Sequence, residues 1–387
     1  MYKINIDDSQ KSTLTGNYLK KYKKKLREEI KGFLDGTNEF VFKRSVGTKA
    51  KKTFAFKVCS SPKSFTCQFL EECCDPKKQL LDELLTGDVQ TQIAIIQRVL
   101  KDSKEHFNSL TVEKAKRLKY KNGMVVDDFN TIMHEIFVKR SFNGDKPIFA
   151  EPLDKDEFVK KLGIRICPYC GRAYIYRVVK QGKKGDVTVK PQLDHFLPKS
   201  DYPFLGMNFF NLIPCCTQCN LAPCKVDNDP LDDTRRQVVH LMHPFDFDDK
   251  RIRFIYQIKT PDTYTPESYH VMVGYDNKDL KKGYNGVLAL DKLYAEHNVE
   301  VCNMFLRARA LRAVGNGFYK GIGIKNLPIG IRSQGVLGFN LNGIEERRQL
   351  MYKFQKDIFL QMAKNTSVGG LTSYYVDWEG KELIVKM

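Results

Sequence analysis

Apolar residues recur with a helical period through much of the first 160 residues. Within 17–34 they fall on one face of a helix, and lysines fill many of the positions between them. The apolar positions are Tyr18, Leu19, Tyr22, Leu26, Ile30 and Phe33. The stretch 38–66 is more polar and favours strands, whereas 69–104 and 111–140 again indicate helices. We therefore predict a mostly helical N-terminal region over residues 1–160.

The pattern changes twice further along the chain. Cysteine, proline and asparagine cluster within 161–250, which we interpret as a unit with its own chemistry. The remaining region, 251–387, is predicted to be mostly helical, with helices within 285–312 and 343–364 and a glycine-rich loop stretch between them. The residues of 371–386 alternate like a β-hairpin. Together these patterns predict an α+β fold.

Composition and charge narrow the class of protein. With 387 residues, of which 42% are hydrophobic, the chain can form packed cores and is not a disordered polymer. Its net charge of +18 indicates a polyanionic partner, and residues 1–80 hold 18 Lys and Arg against 9 Asp and Glu. The N-terminus lacks the apolar segment of a secretory leader, and no apolar run reaches membrane-spanning length. We therefore expect a cytoplasmic protein without membrane contacts.

Four of the eleven cysteines form two C-x-x-C pairs. The pairs are Cys167 with Cys170 and Cys216 with Cys219. In a reducing compartment such pairs indicate metal binding rather than disulfides, and two pairs complete a closed tetrahedral site for structural Zn²⁺. Cys215 and Cys224 fall outside the spacing and are expected to be spare thiols. The other five cysteines are expected to be buried thiols.

The residues between the two pairs suggest hydrolytic chemistry. Asp194 and His195 are adjacent on a predicted strand, so their side chains point to opposite faces. A carboxylate on one face can bind a cation while an imidazole on the other activates water. Asn220 lies in a short helix that begins at the second pair, and its amide oxygen can complete the metal ligands. Oxygen ligands of this kind suit Mg²⁺ or Mn²⁺.

The motifs of this segment resemble those of the HNH (ββα-metal) endonuclease family, over about residues 165–225. They are C-P-Y-C, D-H-F-x-P-K-S and N-L-I-P-x-C-x-x-C-N. The resemblance implies that His195 is the general base and that Asp194 and Asn220 bind the catalytic metal. It also implies that Asn211 ties the loop and orients the histidine, and that the four paired cysteines bind structural zinc. The HNH core would then lie between mostly helical N- and C-terminal regions.

Four residues near the predicted site are candidate nucleic-acid contacts. They are Arg172, Lys199, Tyr202 and Lys225. Lys225 lies further from the last asparagine of the motif than the lysine found there in many family members. Two histidines downstream, His243 and His297, lie in segments similar to those of stand-alone bacterial HNH proteins, including components of Septu-like anti-phage systems. Both are expected to be structural.

These patterns leave three functions open. The leading hypothesis is a DNA endonuclease in anti-phage defence, and a homing or restriction role is the runner-up. For a defence nuclease the resemblance implies restraint, either by a partner such as a regulatory ATPase or by an inhibitory arrangement of the flanking regions. The second is an RNA endonuclease, for example one that acts on tRNA, because the site residues do not distinguish the two substrates. The third is a zinc-knuckle nucleic-acid binding protein without catalysis, which would have no use for the Asp-His pair.

Overall fold

The computed structural model describes much of the chain, with gaps. The described residues are 1–38, 40–46, 50–56, 65–107, 129–142, 155–176, 178–181, 187–189, 191–221, 224–225, 228–231, 240–260, 263–318, 337–338, 349–365, 374–376 and 382–384. Helices and antiparallel strand pairs both occur throughout these residues, which confirms the α+β class in its coarse form. Among them, no helix combines the length and apolar character needed to cross a bilayer.

Most of the described residues among the first 160 lie in helices. These helices are α1 (Asp8–Leu34), α2 (Phe65–Cys74), α3 (Leu80–Thr86), α4 (Val89–Phe107), α5 (Phe129–His134) and α6 (Lys155–Lys161). Helix α5 continues through a π-helical turn, Glu135–Lys139, into a last α-helical turn, Arg140–Phe142. The strands predicted within 38–66 are β1 (Phe40–Val46) and β2 (Ala50–Phe56), which pair antiparallel. The predicted helix positions 111–128 lie outside the described residues.

Helix α1 begins earlier than its apolar pattern predicts. Asp7 caps it, because its side chain accepts a hydrogen bond from the Gln10 backbone N–H at 2.7 Å while the Gln10 side chain accepts one from the Asp7 backbone. This reciprocal cap satisfies two of the amide groups that a helix start leaves unpaired. The first two turns are polar, so the hydrophobic pattern alone does not reveal them.

The middle of the chain carries two short strand pairs and one helical turn. Strands β3 (Val178–Lys180) and β4 (Val187–Val189) pair, as do β5 (Gln192–His195) and β6 (Leu212–Cys215). Helix α7 (Thr217–Asn220) follows β6 after a single residue, Cys216. The register of β5 and β6 places Asp194 opposite Ile213 and His195 opposite Leu212. Consequently, the strand bearing the Asp-His pair is joined directly to the strand that leads into the second cysteine pair.

The C-terminal part contains a hairpin that the sequence pattern did not reveal. Strands β7 (Ile252–Ile258) and β8 (Tyr269–Tyr275) pair over seven residues each. The helices that follow are α8 (Lys278–Leu288), α9 (Leu290–Ala295), α10 (Asn298–Phe318) and α11 (Tyr352–Asn365). The predicted helix within 285–312 is broken at Ala289, whose φ of 51° ends α8 in the left-handed region.

The hairpin predicted at the end of the chain is present. Strand β9 (Tyr374–Val376) pairs antiparallel with β10 (Glu382–Ile384). Much of the predicted glycine-rich loop, residues 319–336, lies outside the described residues.

Buried residues from all three predicted regions form one apolar cluster. The segment between β5 and β6 lies within it, where the Tyr18 hydroxyl donates to the Met207 carbonyl at 2.8 Å and the Phe209 N–H donates to the Leu85 carbonyl at 2.8 Å. On the other side, the rings of Phe254 and Phe354 lie 5.4 Å apart, so that β7 packs on α11. The N-terminal helices thus fix one flank of the Asp-His strand pair. The boundaries at 160 and 250 stay predictions.

Candidate metal centre

The four paired cysteines converge although the two pairs are 46 residues apart. The sulfur atoms of Cys167, Cys170, Cys216 and Cys219 all lie within 4.8 Å of one another, and all four residues are buried. Four buried thiolates at this separation match the donor set of a structural zinc site. The cluster could therefore hold a zinc ion, in agreement with the predicted spacing.

Short backbone contacts shape both turns. In the first, which we call the first knuckle (167–170), the Gly171 N–H donates to the Cys167 carbonyl at 2.8 Å, and Gly171 adopts a φ of 69° that favours glycine. In the second knuckle (216–219), Cys216 caps α7, and its sulfur accepts from the Cys219 N–H at 3.4 Å. The Cys170 sulfur accepts from the Arg172 N–H at 3.4 Å. Backbone donors aimed at sulfur stabilise thiolates and so favour metal binding.

The close packing of the sulfurs also redistributes their protons. Hydrogen bonding with Cys167 lowers the pKa of Cys216, and the neighbouring Cys170 and Cys219 lower it further. The same kind of contact, again chiefly with Cys167, raises the pKa of Cys219. A divalent cation would stabilise all four as thiolates, because it supplies the positive charge that burial otherwise denies them.

The cysteines outside the tetrad behave in two ways. Cys215 and Cys224 are buried free thiols, as expected, and burial raises the pKa of each. Cys73, Cys74 and Cys302 are free thiols as well. Cys67, in contrast, is disulfide-bonded, so the expectation of a free thiol is wrong there.

Asp194 and His195 project to different surroundings, as their alternation on β5 predicts. Asp194 is 3% exposed, and its Oδ2 accepts a hydrogen bond from the Tyr169 hydroxyl at 2.6 Å. Burial raises the pKa of the Asp194 carboxyl, while the charge of Lys225 and the Tyr169 hydroxyl act in the opposite direction. His195 is half-buried, and its Nε2 lies 3.1 Å from the Gly206 carbonyl oxygen. A carbonyl oxygen only accepts, so Nε2 carries the proton and Nδ1 carries the lone pair of the neutral ring.

Asn211 joins the two ends of the loop that follows His195. Its Oδ1 accepts from the Leu197 N–H at 2.7 Å, and its Nδ2 donates to the Leu197 and Leu205 carbonyls at 3.1 and 3.2 Å. The side chain is fully buried, so these bonds are shielded from water. Asn211 therefore sets the shape of the segment that carries Gly206, the partner of His195.

Asn220 ends the single turn of α7 and is half-buried. Its Nδ2 donates to the Gln192 Oε1 at 2.6 Å. The nitrogen side of the Asn220 amide therefore faces Gln192. Gln192 begins the strand on which Asp194 lies, so α7 and β5 are joined through side chains as well as through β6.

The structure corrects two of the four predicted nucleic-acid contacts. Lys225 is fully buried, and its Nζ donates to the Asn228 carbonyl at 2.8 Å and to the His195 carbonyl at 3.4 Å. Tyr202 is 2% exposed, and its hydroxyl donates to the Asp229 carboxylate at 2.6 Å. Neither side chain is accessible to a phosphate, and both instead support the fold beneath the Asp-His strand.

The other two predicted contacts are better placed. Lys199 is exposed and lies in the loop that begins at Phe196. Arg172 is half-buried, where its Nε donates to the His297 Nε2 at 2.7 Å and its NH1 donates to the Gln218 Oε1 at 3.3 Å. Arg172 thus links both knuckles to the turn before α10.

His243 is a structural residue beneath the loop, as expected from sequence. Its Nε2 lies 2.8 Å from the Phe210 carbonyl, and its ring packs edge-on against Phe196 at 4.6 Å. Burial lowers the pKa of His243 to about 4. The folded chain therefore favours the neutral form of the His243 imidazole.

This depressed pKa predicts acid sensitivity. The unfolded chain takes up the His243 proton near pH 6.5 and the folded chain only near pH 4, so stability is complete above the first value and falls towards the second. The loss attributable to this residue is about 3 kcal/mol. We expect the free energy of unfolding, measured with urea, to be lower at about pH 4.5 than at about pH 7.5 by an amount that includes this loss. In His243→Asn the difference in unfolding free energy between the two pH values should shrink by about 3 kcal/mol. An unchanged difference would contradict the role assigned to His243.

The sequence did not predict one residue of this site, Tyr169. Tyr169 lies inside the first knuckle, where a tyrosine would normally be interpreted as packing, yet its hydroxyl contacts the Asp194 carboxylate. Burial raises the pKa of Tyr169, and the nearby Asp194 charge adds to the effect, so the hydroxyl remains a donor. The position of Tyr169 between two predicted zinc ligands was the only indication in the sequence that it lies near the site. That position does not reveal its contact with Asp194, which is 25 residues away.

The chain was also compared with known protein families, characterised proteins and solved structures, and none of the three comparisons finds a match.

Proposed function

We propose that this protein is a metal-dependent endonuclease of the HNH type that hydrolyses phosphodiester bonds in DNA. The observation that carries the proposal is the arrangement of Asp194 and His195 on one strand, beside a candidate zinc cluster and next to a helical turn that ends in Asn220. A phosphodiesterase needs a base, a cation site and a means of orienting the base. These residues supply all three within one short segment.

His195 would act as the general base. Its Nε2–H is directed at the Gly206 carbonyl, which fixes the tautomer and leaves Nδ1 as the proton acceptor for a water molecule. Asn211 holds the loop that carries Gly206, so it would orient the base indirectly. This division of roles places the proton transfer on the face of β5 opposite to the carboxylate.

Asp194 Oδ1 and Asn220 Oδ1 would hold a catalytic Mg²⁺ or Mn²⁺. A buried carboxylate and an amide oxygen form a hard donor set, and burial of Asp194 makes a nearby cation favourable. When bound, such a cation stabilises charge on the phosphate and the leaving oxygen. Lys225 would assist, since its charge opposes the rise in the pKa of that carboxyl that burial causes.

A basic groove along α1 supports a polyanionic substrate. It is lined by Lys20, Lys23, Lys24, Arg27 and Lys31, with Glu28 as the one acidic residue among the lining side chains. Clustered cations attract backbone phosphates without base specificity. One of them, Lys23, is also paired with Asp82 at 2.6 Å. We propose that this groove contributes to binding nucleic acid.

The direct test is cleavage by the purified full-length chain. Supercoiled plasmid and total RNA would be incubated separately with Mg²⁺, Mn²⁺ or EDTA. We expect nicked or linear plasmid with either metal and intact plasmid with EDTA. Cleavage confined to RNA would shift the substrate to RNA. If the zinc-loaded protein retains nucleic acid but cuts neither substrate, the result would contradict the proposal and favour a binding protein without catalysis.

A further inference from the structure

The two knuckles of the cysteine tetrad each carry a side chain that reaches the proposed catalytic site. Tyr169, between the two cysteines of the first knuckle, donates to the Asp194 Oδ2. Asn220, directly after the second knuckle, donates to Gln192 at the start of the same strand. The tetrad and the Asp-His strand are therefore linked by side chains on both sides.

The position of the Tyr169 hydroxyl depends on the first knuckle. Its backbone is fixed on either side by Cys167 and Cys170, and the Cys167 N–H donates to the Ala173 carbonyl at 2.9 Å. A metal bound by the sulfurs of both cysteines would hold the first knuckle rigidly. The ring itself is 3% exposed, so it has little room to adopt another rotamer.

The contact with Tyr169 also determines which carboxylate oxygen is offered to a cation. The hydroxyl occupies Oδ2 at 2.6 Å, a length typical of a charge-assisted O–H to carboxylate bond. Oδ1 would then be the oxygen left to bind a cation, although the carboxylate also accepts a hydrogen bond from the His195 backbone. Without the hydroxyl, the carboxylate would be held less firmly, because its last torsion has a broad profile and the His195 backbone hydrogen bond would have to hold it without Tyr169.

We propose that Tyr169 is a positioning residue that couples the cysteine tetrad to the catalytic metal site by holding one oxygen of Asp194. This inference rests on the proposed nuclease function. It assigns the first knuckle a second role in addition to binding zinc, since the turn that carries the sulfurs also presents the hydroxyl that orients a metal ligand.

The test compares Tyr169, which is part of the first knuckle, with Tyr294, which contacts that knuckle from outside. Tyr294 is as deeply buried as Tyr169, and its hydroxyl donates to the Cys170 carbonyl at 2.5 Å. Tyr169→Phe and Tyr294→Phe each remove one buried hydroxyl bond, but only the first bond involves Asp194. Mn²⁺ affinity, measured by electron paramagnetic resonance titration of the full chain, separates positioning from general destabilisation. Zinc content and melting temperature would be recorded in parallel.

We expect Tyr169→Phe to keep its zinc and to bind Mn²⁺ about 10–100-fold more weakly, the usual effect of losing a partner of a metal ligand. Tyr294→Phe should lose thermal stability but retain Mn²⁺ affinity. Unchanged Mn²⁺ affinity in Tyr169→Phe, or an equal loss in both variants, would overturn the inference while leaving the nuclease proposal intact if the parent protein binds Mn²⁺ and cuts. A parent protein that neither binds Mn²⁺ nor cuts would overturn both.

Discussion

Replacing His195 with alanine is expected to reduce metal-dependent cleavage by about 10²–10⁴-fold, the usual contribution of a positioned general base. The reason is specific to the geometry, because the imidazole is held by the Gly206 carbonyl in the tautomer that accepts a proton at Nδ1. Metal binding should persist, since the carboxylate of Asp194 is on the other face of β5. Plasmid cleavage and Mn²⁺ affinity would be measured on the same preparation.

Two companion variants make this result decisive. Asp194→Asn should lose both cleavage and Mn²⁺ affinity, which distinguishes a metal ligand from a base. His270→Ala, on β8 in the C-terminal hairpin, serves as a matched histidine control and should cut like the parent. Full activity in His195→Ala would contradict the assigned base and remove the main support for the proposed mechanism.

Removing the metal from the cysteine tetrad is expected to have the largest effect on stability. Structural zinc sites contribute about 10–16 kcal/mol of apparent binding free energy at neutral pH in isolated zinc fingers, and here the tetrad joins segments 46 residues apart. We expect one zinc per chain by elemental analysis of the purified protein. Cys216→Ser should lower that content and reduce the melting temperature strongly, because the serine can still cap α7 but removes one of the four sulfur ligands.

Cys224→Ser is the matched control for the tetrad. Cys224 is a buried free thiol close in sequence to the second knuckle but outside the cluster of four. The control should retain one zinc per chain, with at most a modest loss of stability from placing a hydroxyl in a buried position. A parent protein without zinc, or a Cys216→Ser variant that keeps it, would show that the tetrad is not a zinc site.

Features that depend on local geometry could be predicted from the amino-acid sequence. Two C-x-x-C turns can be read as ligand pairs because three residues fix the separation of their sulfurs, and the tetrad forms as predicted. Adjacent residues on a strand must face opposite sides, so the different surroundings of Asp194 and His195 were also predictable. The apolar face of α1 and the C-terminal hairpin follow from periodicity alone.

Which side chains are buried, and which distant residues come into contact, became clear from the packing of the folded chain. Lys225 and Tyr202 have the residue types of phosphate contacts, yet packing of the segments around them removes both from solvent. The contact of Tyr169 with Asp194 and that of His243 with the loop at Phe210 join residues 25 and 33 positions apart. Such contacts depend on how whole segments pack, a sum of many weak interactions that no local pattern encodes.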